Sequence, residues 1–303
     1  MNFITKTVTV LAGCAVASTC IGLAPVQAQD WNYTIDSFDD GSQAGKRGAN
    51  SNFEFYGMAL KETAEKVYIA INSNLDLGGE YSGGAEDDYI HYGDLFFNFT
   101  GADLSDAQGD LFAVKFDAGN DSGVDEVGIY GDVVGTNTTA INNGFKSMKS
   151  HRDWANKNYK VDGVTVKGTA SMGDLSHDDT YFQQAKRTVS NSIGFGNYLG
   201  GITFLNELQL ADAGLNFGAV DAGVVGRHTI GFSFDRNLLP DGDFVAHVFA
   251  ECINDGLAMM GNLPTTIRVP EGGDDVDAPE PGFIAGIVLV GGLGLIKRRM
   301  ASA

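Results

Sequence analysis

What most constrains the fold of this chain is a rhythm of short apolar runs, each about the length of one strand, separated by turns rich in Gly, Asn and Asp. Residues 53–60, 67–71, 95–99, 111–116, 127–134, 202–210, 228–234 and 244–251 follow it. Two runs keep the two-residue period of a pleated strand: Val67, Ile69 and Ile71 share one face, and Ile230, Phe232 and Phe234 share another. The segments 74–84, 101–109, 117–124 and 236–242 are dense in turn formers, because Gly tolerates left-handed backbone while Asp and Asn bond nearby amides. Eight such runs and 41 glycines predict an all-β fold, an antiparallel β-sandwich of jelly-roll-like kind with few short helices. Helical signals are confined to 148–160, a helix or a polar excursion between sheets, and 180–189. Gly-Asp-Leu recurs at Gly93, Gly109 and Gly173, and each Asp is expected to bond its local backbone at a strand start.

The two ends have different compositions from the middle. Residues 1–28 have the form of a secretory signal peptide: a basic start ending at Lys6, an apolar stretch over 7–23, and Val26-Gln27-Ala28 at the positions that signal peptidase reads. Cleavage is expected between Ala28 and Gln29. Leu11-Ala12-Gly13-Cys14 offers a competing lipobox, but the apolar stretch runs on past Cys14 to Leu23. After an ectodomain at 29–263, residues 264–278 combine prolines, glycines and acids with almost no apolar pattern, as expected of a solvated stalk. Residues 283–296 carry no charge and no hydrogen-bonding side chain. As a helix they would be about 21 Å long, short of the roughly 20 residues that a permanent span prefers. The stems of Lys297 and Arg298 could lengthen the span by snorkelling, and the basic cluster Lys297-Arg298-Arg299 would stay on the cytoplasmic side.

Pro279-Glu280-Pro281, then a Gly-rich apolar segment, then Lys297-Arg298-Arg299 resembles the PEP-CTERM sorting signal that exosortase recognises in Gram-negative bacteria. Two prolines without amide donors would hold that tripeptide extended just outside the bilayer, within reach of a membrane-embedded transpeptidase. Inside the domain, Phe53-Glu54-Phe55-Tyr56-Gly57-Met58-Ala59, Ala70-Ile71-Asn72-Ser73-Asn74-Leu75, Tyr92-Gly93-Asp94-Leu95-Phe96-Phe97-Asn98-Phe99 and Glu251-Cys252-Ile253-Asn254-Asp255-Gly256 are similar to the exosortase-dependent surface proteins of cyanobacteria. This resemblance implies a sorting signal at 279–303 and a membrane anchor at 283–296 before processing. It also implies an exosortase as processing partner, a place in the cell envelope or at the cell surface, and a β-rich ectodomain, but no reaction. An ordinary tail anchor beside a chance Pro-Glu-Pro is the alternative.

Charge and chemistry narrow the remaining choices. Four of the 20 basic residues lie in the terminal segments, which leaves 16 against 39 acids, a balance of about −23. Such a surface disfavours nucleic acid, whose phosphates need Lys and Arg. Of three cysteines, Cys14 and Cys20 fall in the signal peptide, so Cys252 remains alone, without an intramolecular disulfide, and reads as a buried small hydrophobe. No Gly-x-Ser-x-Gly, His-Glu-x-x-His, Cys-x-x-Cys or phosphate loop is present. His91, His151, His177, His228 and His247 are scattered singly, and the acid pairs Asp87-Asp88 and Asp178-Asp179 are what chance provides among 39 acids. The chain therefore reads as non-enzymatic, with no catalytic residue and no required cofactor.

Calcium is the one ion the sequence suggests. The candidates are Asp117, Asn120, Asp121 and Asp125, beside Ser122 and Glu126, with Asp36-Ser37-Phe38-Asp39-Asp40-Gly41 as a second oxygen-rich turn. Neither has the EF-hand register, and solvated turns are the simpler account of both. Extracellular polysaccharide is a further candidate partner, with Tyr81, Tyr89, Tyr92, Tyr130, Trp154, Tyr159 and Tyr198 available for stacking. A secreted hydrolase would need two carboxylates facing one another across a cleft.

Overall fold

The computed structural model describes residues 31–264, apart from 44, 159, 162–163, 166–169 and 183–187. The expected signal peptide, stalk, sorting motif and membrane segment lie outside these residues. Among the described residues, no helix is long and apolar enough to cross a membrane.

Eleven strands form two antiparallel sheets. In chain order they are β1 (Asn32–Ile35), β2 (Phe55–Glu62), β3 (Lys66–Ser73), β4 (Leu95–Asn98), β5 (Leu111–Lys115), β6 (Gly128–Thr136), β7 (Ser192–Gly200), β8 (Thr203–Leu205), β9 (His228–Asp235), β10 (Gly242–Phe249) and β11 (Gly256–Leu263). The first sheet has the order β1-β2-β3-β9-β8, and the second β7-β6-β5-β4-β10-β11. The all-β antiparallel expectation therefore holds.

The two runs with the clearest alternation turn out to be neighbours. β3 and β9 pair with Val67 opposite Phe234, Ile69 opposite Phe232 and Ile71 opposite Ile230. That register puts all six side chains on one face, and they join Leu95, Phe97, Val114, Ile129, Val248 and Met259 from the second sheet in a single buried cluster. Fully burying a side chain of this size stabilises the fold by roughly 1.5–3 kcal/mol. This shared layer therefore accounts for the closure of the two sheets.

The outer faces are also covered, which explains why β2 and β4 read as continuous apolar runs rather than as alternating ones. Over the first sheet, Trp31, Tyr56, Ala59 and Ala70 pack with Leu210 and Phe217 of two short helices, α2 (Glu207–Asp212) and α3 (Phe217–Val220). Over the second, Phe96, Tyr130, Ile193 and Phe249 pack with Met148, Met172 and Phe182. Met148 opens α1 (Met148–Asn158), so the polar segment is helical over 148–158, and Lys160 belongs to a short strand.

Some boundaries differ from the sequence reading. The run at 202–210 splits into β8 and α2, because Asn206 caps a helix: its side chain accepts from the Gln209 amide while the Gln209 side chain accepts from the Asn206 amide. Residues 180–182 form a single tight helical turn. β7 was not expected as a strand, since its alternating glycines resemble turns and its Phe195 and Tyr198 are exposed on a sheet edge.

Two buried polar side chains, Arg236 and His247, are well partnered. Arg236 is fully buried and bonds Glu62, the Asp241 carboxylate (2.6 Å) and the Leu239 carbonyl (2.8 Å), which pins the β9–β10 crossing to the end of β2. His247 lies stacked on Phe96, with ring centroids 5.1 Å apart. Its Nε2–H donates to the Ser190 carbonyl (3.4 Å), which leaves Nδ1 to accept from the Tyr181 hydroxyl (3.3 Å).

Burial holds the His247 imidazole neutral and pushes its pKa down to about 4. Because the folded value is depressed, the stabilisation is fully present above about pH 6.5, the unfolded value, and is lost as pH falls toward 4. The expected outcome is an acid-side loss of a few kcal/mol between pH 6.5 and 4, with a shallower slope in His247→Phe whatever that variant's absolute stability. Urea unfolding at a series of pH values checks it.

Candidate functional site

Two loops near the start of the domain and a third more than 200 residues later meet where one end of the first sheet faces the β10–β11 hairpin. The first is the turn after β1, carrying Asp36, Asp39 and Asp40. The second is the approach to β2, carrying Glu54, and the third is the hairpin turn itself, carrying Asp255. Asp36, Asp40, Glu54 and Asp255 are all buried, none exposing more than 5% of its surface. One oxygen from each of Asp36, Asp40 and Asp255 lies within 4.8 Å of the other two.

Hydrogen bonds hold each carboxylate in place. Asp36 Oδ1 accepts from the Ser37 amide (2.7 Å) and the Ser171 hydroxyl (2.6 Å). Asp40 accepts from the Ser37 hydroxyl and from the Ser171 amide (3.0 Å). Asp255 accepts from the Phe55 amide (2.7 Å) and the Gly256 amide (2.8 Å), so it bonds both sheets. Glu54 Oε2 accepts from the Gly41 amide (2.7 Å). Gly41 is the floor of the cluster: a Cβ there would stand 2.6 Å from Glu54 Oε2 and 2.8 Å from Asp255 Oδ2, so these two acids face each other across it.

So many carboxylates out of water cannot all stay ionised by themselves. Desolvation first, and mutual repulsion second, push Asp36 and Asp255 well above the usual carboxylate range. The same causes raise Glu54 to about 10, while burial raises Asp40 to about 6. The charge of Arg47 reaches Asp40, but its guanidinium is held by Asp39 and by the carbonyls of Asp39 and Ala155. Chemically, the cluster must take up protons or a cation.

Beside it lies a pair of histidines 26 positions apart, each of which reads singly along the chain. His151 of α1 donates through Nε2 to the Asp40 carbonyl (3.0 Å), and its Nδ1 accepts from His177 Nε2 (3.2 Å). Both are buried, and desolvation lowers them to about 4 and about 3.

The other sequence candidates are dispersed. Asp117 is taken by His91 (Nδ1 to Oδ2 3.1 Å) and the Gly119 amide. Asn120 donates to Asp94, Asp121 accepts from Asn142, and Asp125 is exposed. The structure brings Asp117 and Asn120 to one loop but does not converge the oxygens of Asp117, Asp121 and Asp125 on a common point. Asp94 itself bonds Ser122 and the Ile193 amide of β7, contacts far along the chain rather than the local ones expected of a Gly-Asp turn.

Among the aromatic candidates, Tyr92 and Tyr130 are buried, whereas Tyr81 and Tyr89 are exposed and meet edge to face at 5.9 Å. Tyr198 is exposed against Tyr130, Trp154 packs on Phe145, and Tyr159 lies outside the described residues. Tyr89 adjoins His91, which with Asp117, Leu77, Phe116 and Phe204 lines an open cleft of about 400 Å³. Cys252 is buried and free, and burial pushes its thiol up to about 12.

Compared with known proteins, the chain matches no family model, no curated protein and no solved structure.

The cluster's floor gives a direct check. Gly41→Ala would set a methyl 2.5 Å from the Glu54 Cα, a backbone atom that cannot step aside. A loss of roughly 1–3 kcal/mol is expected, the usual cost of overpacking, read as a fall in the thermal unfolding midpoint.

Proposed function

We propose that this chain is an exported, non-enzymatic protein of the cell surface or extracellular matrix, a jelly-roll-like β-sandwich delivered by an N-terminal signal peptide and sorted by an exosortase at its C-terminal signal. The observation that carries this reading is the order of three parts in the sequence: Pro279-Glu280-Pro281, the uncharged run 283–296, and Lys297-Arg298-Arg299. The described domain supports it. Among the described residues, the strands run from Asn32 to Leu263, within the ectodomain expected at 29–263. The sandwich reading is supported by two antiparallel sheets that share one buried layer.

In mechanistic terms, the apolar tail would hold the domain at the membrane until the sorting enzyme cuts near 279–281. The acids that do face one another are sealed from solvent, and the open cleft contributes the single carboxylate Asp117. Both favour a structural or binding role over hydrolysis.

A second reading, a carbohydrate-binding surface module, has its own support: the exposed Tyr81 and Tyr89 pair beside the cleft that His91 and Asp117 line. Rings of this kind stack on sugar faces while nearby carboxylate and imidazole groups bond hydroxyls. On this reading, retention on matrix polysaccharide isolated from the native host falls at least tenfold in Tyr81→Ala with Tyr89→Ala and is unchanged in Tyr198→Ala. Equal retention of all three proteins would remove it.

The sorting reading is tested by intact mass and fractionation of the mature protein from the native host, with Pro279→Ala plus Pro281→Ala in parallel. The parent is expected to lose everything after the Pro-Glu-Pro region, and the variant to keep its full tail. A tail intact through Ala303 in both would make the protein a simple membrane-anchored ectodomain.

A further inference from the structure

We propose that Asp36, Asp40 and Asp255, with Glu54 packed beside them, form a calcium site that fastens the N-terminal edge of the first sheet to the β10–β11 hairpin of the second. Three independent observations converge on it.

The first is reach. Calcium binds oxygens at about 2.3–2.6 Å, so two ligands of one ion stand no more than about 5 Å apart. The oxygens of Asp36, Asp40 and Asp255 meet that limit, with each within 4.8 Å of the others. Their carboxylates are fixed by amide and hydroxyl donors that leave lone pairs on each carboxylate free to ligate.

The second is unsatisfied acceptors. Asp36 Oδ2 and Glu54 Oε1 are buried and have no hydrogen-bond partner. Glu54 is fully buried, and its other oxygen faces Asp255 across Gly41. The neighbouring Asn254 Oδ1 and Ser42 Oγ are also buried and unpartnered, although the two residues are bonded to each other through Asn254 Nδ2 and the Ser42 carbonyl (2.7 Å). A buried acceptor left in this state is costly, and those on Asp36 and Glu54 mark the carboxylate cluster as short of a positive partner.

The third is ligand chemistry. The donors are carboxylate, amide and hydroxyl oxygens only. His151 addresses the Asp40 carbonyl rather than a carboxylate, and it does so as a donor. An all-oxygen set selects a hard cation. Full burial favours calcium over magnesium, which keeps several of its waters.

The ion would do for this domain what a disulfide does elsewhere. Asp36 and Asp255 lie 219 positions apart in the sequence, and the described residues hold one free cysteine and no pair. A divalent charge would neutralise acids that Arg47 does not reach, and would tie the two ends of the domain at one point.

The test is metal content and thermal unfolding of the purified full chain, after exhaustive chelation and after return of calcium chloride alone, with Asp36→Asn, Asp255→Asn and Asp121→Asn in parallel. One calcium retained per chain is expected, with a midpoint at least 5 °C higher in millimolar calcium than in chelator. That shift should be lost in Asp36→Asn and Asp255→Asn and kept in Asp121→Asn. An unchanged midpoint with no calcium retained would overturn the proposal and leave protons to neutralise the cluster. A calcium shift that survives Asp255→Asn but disappears in Asp121→Asn would overturn it too, because the ion would then belong to the 117–126 loop. Should the two cluster variants fail to fold, metal stoichiometry of the parent decides alone.

Discussion

The fold rests on one contact surface, the apolar layer that β2, β3 and β9 supply from one sheet and β4, β5, β6, β10 and β11 supply from the other. Each of these strands is too short to be stable alone. The pairing of Val67, Ile69 and Ile71 with Phe234, Phe232 and Ile230 is both the in-sheet register and the inner face of the core. A one-residue slip of either strand would turn its three toward the outer face. Closing such a layer requires segments more than 150 residues apart to meet, and the entropy of that closure has to be offset by contacts made only when both sheets are in place.

The polar junctions at the rim follow from this. Where the chain crosses between sheets, its loops are trapped against the core, and their charges must be satisfied there. Arg236 is the balanced case: a buried guanidinium with two carboxylates and a carbonyl around it, so that removal of any one partner would strand a charge. The Asp36, Asp40, Glu54 and Asp255 cluster is the unbalanced case, with acids in excess of the cations that reach them. The same geometric demand produces both. In the second case protein groups alone do not meet it, which is why the cluster stands out as a site.

Legibility differed sharply between these two levels. The strands with clear period two were readable because burial on one face is a local property of the sequence. β7 was not readable, since its glycines and its exposed Phe195 hide an edge strand that needs only one neighbour. The turn at Asp36 to Gly41 was visible as an oxygen-rich segment, but its weight was not. Half of its cluster comes from Glu54, inside a run of apolar residues, and from Asp255, in a hairpin turn whose Asp looks like ordinary turn chemistry. The loop at Asp117 to Glu126, richer in acids, disperses its side chains to His91, Asp94 and Asn142 instead. Asp94 and Asp174 likewise bond distant amides of β7 and β11 rather than their own turns.

By itself the sequence determined the secondary-structure class, since alternation and turn residues act over a few positions. It also supplied every argument about export and sorting, since those signals are linear segments read in order by other machinery. Only the tertiary structure decided which acids share a buried volume, which histidines pair, and which tyrosines stay in solvent. Those properties depend on contacts between segments from 26 positions apart, for His151 and His177, to 219, for Asp36 and Asp255, where electrostatic energy is set by separation in space and exclusion of water. Spacing along the chain carries no record of either.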